Sequence, residues 1–246
     1  MKTPGRYPLE LKSYELDHRG SMPVWVIYRF LQEAAELNAV DLGFDTETLL
    51  DRSLTWMLAR LQLRCTDPPM GRQRIIAETW PSGIESRFAR RDFRLWLNGA
   101  DTPFVVATSH WLLIDINRKR PVTVGNILGP EHVIPIGHAV TEPFPSLQPA
   151  GDPVFSAEFR VRRSDLDMND HVNNVHYVEW LAEAVPEDVW RGGGIAELDV
   201  EYKRQAQFGD VVRIDTHPAG PGAYTHRMIA GGNDIVLARS VWAARQ

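Results

Sequence analysis

Ala107-Thr108-Ser109-His110-Trp111 returns near the other end of the chain as Ala238-Arg239-Ser240-Val241-Trp242. Each copy falls in the last strand-like stretch of its half. A second echo lies upstream of each: Gly71, Thr79 and Pro81 are matched by Gly209, Thr216 and Pro218. Matches this short arise by chance, but these occur in the same structural order. They read the chain as one unit written twice.

Working outward, the first half opens with a strand-like piece at Tyr14-Glu15-Leu16. A helix follows, with Ser21 as its cap and Pro23 in its first turn. Val24, Ile27, Tyr28, Leu31 and Ala35 recur at helical spacing until Gly43 ends the run. Strands are expected at 56–63 and, after the turn at 67–71, at 74–80. Residues 91–97 pair with 104–114 across Asn98-Gly99-Ala100-Asp101, a hairpin signal. The second half repeats this order. A strand at 155–161 precedes a helix at 175–185, with Val178, Leu181, Ala182 and Val185 on one face. After a break at Gly192-Gly193-Gly194, strands are expected at 195–202 and 211–216. Two more flank Gly231-Gly232-Asn233-Asp234.

One strand, one long helix and then a run of antiparallel strands make an α+β unit, a sheet wrapped on a helix. Two in tandem predict a double hotdog, with two antiparallel sheets each wrapped around a long helix and joined side by side. The expected division is a first domain at 1–125, a linker at 126–153 and a second domain at 154–246. The linker reading rests on Pro130, Pro135, Pro143, Pro145, Pro149 and Pro153.

The 246 residues are 43% hydrophobic and 24% charged, a composition that fills an ordinary globular core. A single cysteine, Cys65, excludes a disulfide framework and a Cys-rich zinc site. No apolar run follows the first residues and none approaches the roughly 20 residues of a membrane helix. The expectation is a soluble cytoplasmic protein without membrane insertion. A net charge of −5 argues against a general nucleic-acid binder. Of the 27 basic residues only Lys2, Lys12, Lys119 and Lys203 are lysines. Arginines gather between Arg60 and Arg94, including Arg87, Arg90 and Arg91. They are either the solvated face of a sheet or a dock for an acidic partner.

The densest polar run is Arg162-Arg163-Ser164-Asp165-Leu166-Asp167-Met168-Asn169-Asp170-His171-Val172-Asn173-Asn174-Val175-His176-Tyr177. It lies between a strand and the start of the second helix, where unpaired amides and the helix dipole suit an oxyanion. Asp167, Asn169 and His171 are spaced by two, so in an extended loop all three face one pocket. Read blandly, Asn173 or Asn174 caps the helix, Asp165 pairs with Arg162 or Arg163, and His176 packs. No Gly-x-Ser-x-Gly elbow, phosphate-cradling loop or HExxH spacing is present, and no cofactor or metal is expected.

The stretch from Ser164 to Tyr177 resembles the signature of the acyl-acyl carrier protein thioesterases of plant plastids and bacteria. Arg90-Arg91-Asp92 and Glu78-Thr79-Trp80 are also similar to that family, and the similarity covers nearly the whole chain. The resemblance implies a double hotdog that hydrolyses the thioester between a fatty acid and the carrier's phosphopantetheine arm. It places Asp167, Asn169 and His171 on the family's catalytic Asp, Asn and His. It also implies that the first half shapes the acyl cavity and the second holds the chemistry; the first half lacks a counterpart to Asp167-x-Asn169-x-His171.

One departure is plain. Where the family carries Glu-Cys or Glu alone, alignment through Glu201-Tyr202-Lys203-Arg204 places Gln205 and Ala206. Ala206 excludes a cysteine nucleophile there, and Gln205 keeps the reach of Glu without taking a proton. The expected mechanism has Asp167 attack the thioester carbon or activate a water. Asn169 aligns that group, and His171 orients the array or protonates the leaving thiolate. Amides near Asn173 and Asn174 hold the oxyanion, and Gln205 positions the water. Candidates for the residues that measure acyl length are Ile27, Tyr28, Leu31 and the strand at 56–61. The expected partner is acyl carrier protein, an acidic protein. Monomer and homodimer both fit the sequence. An acyl-CoA thioesterase and a non-catalytic acyl-binding hotdog are the alternatives; a hotdog dehydratase lacks its His-with-Gly-Pro loop here.

Overall fold

A computed structural model describes residues 3–85 and 87–244. Two compact units divide between Glu142 and Pro143.

The first unit begins with β1 (Gly5–Leu11), a 3₁₀ turn at Ser13–Glu15 and α1 (Val24–Leu42). Then follow α2 (Thr46–Leu50), β2 (Leu54–Cys65), β3 (Gln73–Glu85), β4 (Phe88–Leu97), β5 (Val105–Asp115) and the short β6 (Arg120–Val122). The strands lie in the order β1-β3-β4-β5-β2, with β6 against β5. Adjacent strands run antiparallel. The second unit has β7 (Phe155–Arg160), α3 (Asn174–Glu183), α4 (Glu187–Gly192), β8 (Gly193–Tyr202), β9 (Val211–Pro218), β10 (Ala223–Ala230) and β11 (Asn233–Ala244). Its antiparallel order is β7-β9-β10-β11-β8. Strand for strand, this is the order of the first unit.

The predicted helices and strands are present, with local differences that have physical causes. Tyr14-Glu15-Leu16 is not strand: it lies in the 3₁₀ turn, held by the Lys12 amide donating to Glu15 Oε2 at 2.8 Å. The strand is the preceding alternation Gly5–Leu11. Ser21 does not cap α1; Pro23 takes that position, and Ser21 is buried in an isolated bridge to Met70. Gly43 does end the helix, in the left-handed conformation (φ 74°), with the Phe44 amide reaching back to Ala39 O at 2.9 Å. The three-glycine run is not a break either. Gly193 and Gly194 open β8, and a Cβ at Gly193 would sit 2.3 Å from the Ala243 carbonyl oxygen, an approach that requires glycine there.

Each sheet buries a helix face. Val24, Ile27, Tyr28, Leu31 and Ala34 of α1 are at most 3% exposed. Each large apolar side chain so buried contributes about 1.5–3 kcal/mol. In the second unit Trp180 of α3 stacks on Phe159 of β7 with ring centroids 5.8 Å apart. The sequence echo is structural as well: Trp111 Nε1 donates to Ser109 Oγ at 2.7 Å, and Trp242 Nε1 to Ser240 Oγ at 3.0 Å.

The first part of the proline-rich stretch is strapped to the first unit. Val124 and Leu128 pack with Leu49, Leu54, Ala89 and Leu113. Farther on, the buried Asp92 carboxylate accepts the Ala139 amide at 2.8 Å, Thr108 Oγ1 accepts the Val140 amide at 3.2 Å, and Arg90 donates to Val140 O at 3.2 Å.

Candidate active site

β7 gives way to a turn at Arg163–Asp165, and Asp165 is its anchor. Its carboxylate accepts the Arg162 amide at 2.7 Å and the Arg162 guanidinium at 2.7 and 3.1 Å. Burial pushes the Asp165 pKa up, but these bonds outweigh it and hold the carboxyl below its ordinary range. Its carbonyl takes the Asn173 amide at 2.9 Å, which ties the turn to the start of α3.

Between these anchors Asp167 to His171 form a closed turn rather than an extended loop. The Asp167 amide donates to His171 O at 2.8 Å and the Asp170 amide to Asp167 O at 3.1 Å. Asp167 Oδ1 accepts the backbone amides of Asn169 at 2.8 Å and His171 at 3.4 Å. This is an Asx turn, and Asp170 supplies its left-handed residue at φ 60°. Burial alternates along the turn. Asp167, Asn169 and His171 are half-buried, while Met168 and Asp170 are exposed. Asp167 Oδ2 and the side chains of Asn169 and His171 make no hydrogen bond or ion pair among the described residues. One carboxylate oxygen thus builds the turn and the other is left without a partner among the described residues.

Helix-start amides divide in the same way. Asn173 caps α3, accepting the Val175 amide at 3.0 Å on Oδ1 and the His176 amide at 3.0 Å on its carbonyl. Its own amide is spent on Asp165. The Asn174 amide has no acceptor among the described residues and is left open at the helix start. His176 is occupied in packing, with Nδ1 2.6 Å from Glu179 Oε2 and its ring stacked on Trp180.

Gln205 is exposed and makes no hydrogen bond among the described residues, while Ala206 beside it is fully buried. Ala206 O accepts the Val172 amide at 3.3 Å, so the loop after β8 lies against the residue following His171. The Ala206 amide donates to Tyr177 Oη at 2.9 Å. Burial is the main cause that pushes the Tyr177 phenol up to about 12, with Asp210 and Asp167 adding to it.

The first unit holds the same turn, which the sequence did not reveal. Asp17 Oδ1 accepts the amides of Arg19 at 2.9 Å and Ser21 at 3.0 Å, and the Asp17 amide donates to Ser21 O at 2.9 Å. Gly20 takes the left-handed place of Asp170 at φ 76°. Asp17-x-Arg19-x-Ser21 therefore stands where the second unit has Asp167-x-Asn169-x-His171. The backbone is repeated and the side chains at the second and third positions are not. The available signal was Leu16-Asp17 against Leu166-Asp167, each with an acidic residue one position before the leucine.

Part of the arginine cluster does internal work, while Arg72, Arg74 and Arg87 are exposed. Arg91 Nη1 donates to Asn38 Oδ1 at 2.7 Å and Thr79 Oγ1 at 3.2 Å, and burial lowers its guanidinium to about 10, still cationic at neutral pH. Arg90 pairs with Glu85 at 2.9 Å, and Arg94 pairs with Glu78 at 3.2 Å while lying over the Trp80 ring. The two short motifs of the first half are cross-strand neighbours, Glu78 opposite Arg94 and Trp80 opposite Asp92. Among the described residues no group of His, Cys, Asp and Glu is placed to hold a metal ion. None of their helices is long and apolar enough to cross a membrane.

Residues 5–128 match the acyl-ACP thioesterase N-terminal domain and residues 150–244 the C-terminal domain. The chain belongs to the acyl-ACP thioesterase family. Among curated relatives it is similar to an oleoyl-acyl carrier protein thioesterase of Coriandrum sativum, 27% identical over 224 residues that cover 85% of this chain and 61% of that one. The chain spans about three-fifths of the length of such relatives. Among solved structures it is similar to the 12:0-ACP thioesterase of Umbellularia californica, with a TM-score of 0.88 and 25% identity over 98% of both chains. An acyl-ACP thioesterase from Bacteroides thetaiotaomicron shares the fold, with a TM-score of 0.85 and 21% identity over 98% of each chain. The fold of this family member is thus the expected α+β tandem hotdog.

Proposed function

We propose that the protein hydrolyses the thioester of fatty acyl-acyl carrier protein, releasing a free fatty acid and the carrier's thiol. The observation that carries this reading is the Asp167 turn. It leaves one carboxylate oxygen, the side chains of Asn169 and His171 and the Asn174 amide without partners among the described residues, at the start of a buried helix. Asp167 Oδ2 either attacks the thioester carbon, forming an anhydride that water then hydrolyses to the fatty acid, or takes a proton from the attacking water. The Asn174 amide receives the carbonyl oxygen as it gains charge, and Asn169 holds the nucleophile in line. When the C–S bond breaks, His171 orients the array or delivers a proton to the departing sulfur. Gln205 positions the water by hydrogen bonding alone.

The first unit is the proposed seat of the acyl chain, bounded by residues 1–125, and the unit at 154–246 carries the chemistry. Acyl carrier protein is the proposed partner, with exposed Arg163, Lys203 and Arg204 near the turn suited to its acidic surface. The proposed setting is cytoplasmic, in keeping with a lone buried cysteine. Plant relatives carry "chloroplastic" in their names. Loading acyl carrier protein with a series of fatty acids and following free thiol tests the reading: release from the carrier, faster than from the matching acyl-CoA, supports it. The Gln205-Ala206 pair favours one second reading, a non-catalytic acyl-binding protein, which predicts tight acyl binding with no thiol release.

A further inference from the structure

The bond between Tyr177 Oη and the Ala206 amide belongs to one unit only. The turns align Asp17 with Asp167 and the helix caps align Pro23 with Asn173, so Ile27 of α1 occupies the place of Tyr177 in α3. On the opposite side, Met22 donates its amide to Pro69 O at 3.0 Å, as Val172 does to Ala206 O at 3.3 Å. Pro69 thus occupies the place of Ala206. Ile27 has no hydroxyl and Pro69 has no amide hydrogen, so this bond cannot form in the first unit. The turn there closes without it. The hydroxyl–amide pair occurs where Asn169 and His171 occur, and is absent where Arg19 and Ser21 replace them.

Ala206 is gripped from two sides. Its amide is held by the helix interior through a tyrosine 1% exposed, and its carbonyl by the amide of Val172, the residue after His171. Gln205 is the residue immediately before it. We infer that Tyr177 is a positioning residue for the thioesterase reaction: by holding the Ala206 amide it fixes where Gln205 stands relative to His171. The inference rests on the hydrolase reading above. It assigns the hydroxyl a part in turnover, because the first unit shows that the scaffold folds without it.

The test is Tyr177→Phe, which removes the acceptor oxygen and keeps the ring. Thiol release from acyl-carrier substrate is expected to lose about 10- to 100-fold in kcat, the scale of a misplaced catalytic array, with KM within about twofold. Far-UV circular dichroism remains that of the parent, and hydrogen exchange at the Ala206 amide accelerates. A structural role alone would accelerate that exchange as well, but it would leave kcat at the parental value in a protein that folds as the parent does. In a Gln205→Ala background the kcat loss from Tyr177→Phe shrinks, because both changes disturb one array. A Tyr177→Phe protein with parental kcat, or losses that multiply fully in the double variant, overturns the inference. So does a variant that cannot fold, since the bond would then serve the scaffold. Parent protein that binds acyl-carrier substrate and releases no thiol instead overturns the hydrolase reading itself.

Discussion

Asp167 Oδ1 accepts the Asn169 amide at 2.8 Å, and Asp17 Oδ1 accepts the Arg19 amide at 2.9 Å. The aspartate is therefore part of the turn before it is part of any reaction. Asparagine retains a side-chain acceptor oxygen and alanine does not. Asp17→Ala and Asp167→Ala are each expected to destabilise their unit by about 1–3 kcal/mol, and the Asn variants by less, measured by urea denaturation. Only the changes at Asp167 should affect hydrolysis.

The buried Asp92 is expected to matter through the strap. Asp92→Ala removes the acceptor of the Ala139 amide and the counter-charge near Arg90, whose Nε lies 3.8 Å away. Breaking one side of a buried charged cluster costs about 3–5 kcal/mol. Limited proteolysis should then cut between residues 126 and 142 well before it cuts the parent.

His226 gives the stability a pH signature. It is buried between Thr216 and Ser240, with Nδ1 2.9 Å from Thr216 Oγ1 and Nε2 2.7 Å from Ser240 Oγ. Burial above all, and then the neighbouring His217, lowers it to about 3. The unfolded chain therefore binds this proton first as the pH falls from about 6.5. The stability that neutral His226 preserves is fully present above that value. It declines by about 1.4 kcal/mol per pH unit toward 3. A His226→Gln variant should show a shallower decline by that amount in denaturant melts at stepped pH.

Charge steering should be visible in kcat/KM. If exposed Arg163, Lys203 and Arg204 guide an acidic carrier, the rate with the carrier substrate falls as salt shortens the Debye length from about 10 Å at 0.1 M. The acyl-CoA rate should fall less. Neutralising Arg163 and Arg204 together should flatten the salt dependence for the carrier.

Periodicity located the helices and most strands because each presents one apolar face to its sheet, as Val24, Ile27 and Leu31 do. The missed details were set by contacts distant in sequence. Ser21 has the composition of a cap, yet its place is decided by a bridge to Met70. Gly193 looks like a breaker, but it is the close approach of Ala243 that requires it. The arginine cluster read as surface because composition cannot show that Arg91 turns toward Asn38. The polar run around Asp167 was legible as a motif. Its repetition at Asp17 was not, since a hydrogen-bond pattern made by backbone amides leaves almost no trace in side-chain identity.

The most direct measurement is single-turnover thiol release from fatty acyl-carrier substrate by the parent protein and by Asp167→Asn. The parent should release thiol, and Asp167→Asn should be slower by several orders of magnitude, about 10³-fold or more, while still folding and binding substrate. Equal rates for the two proteins would contradict a chemical role for Asp167.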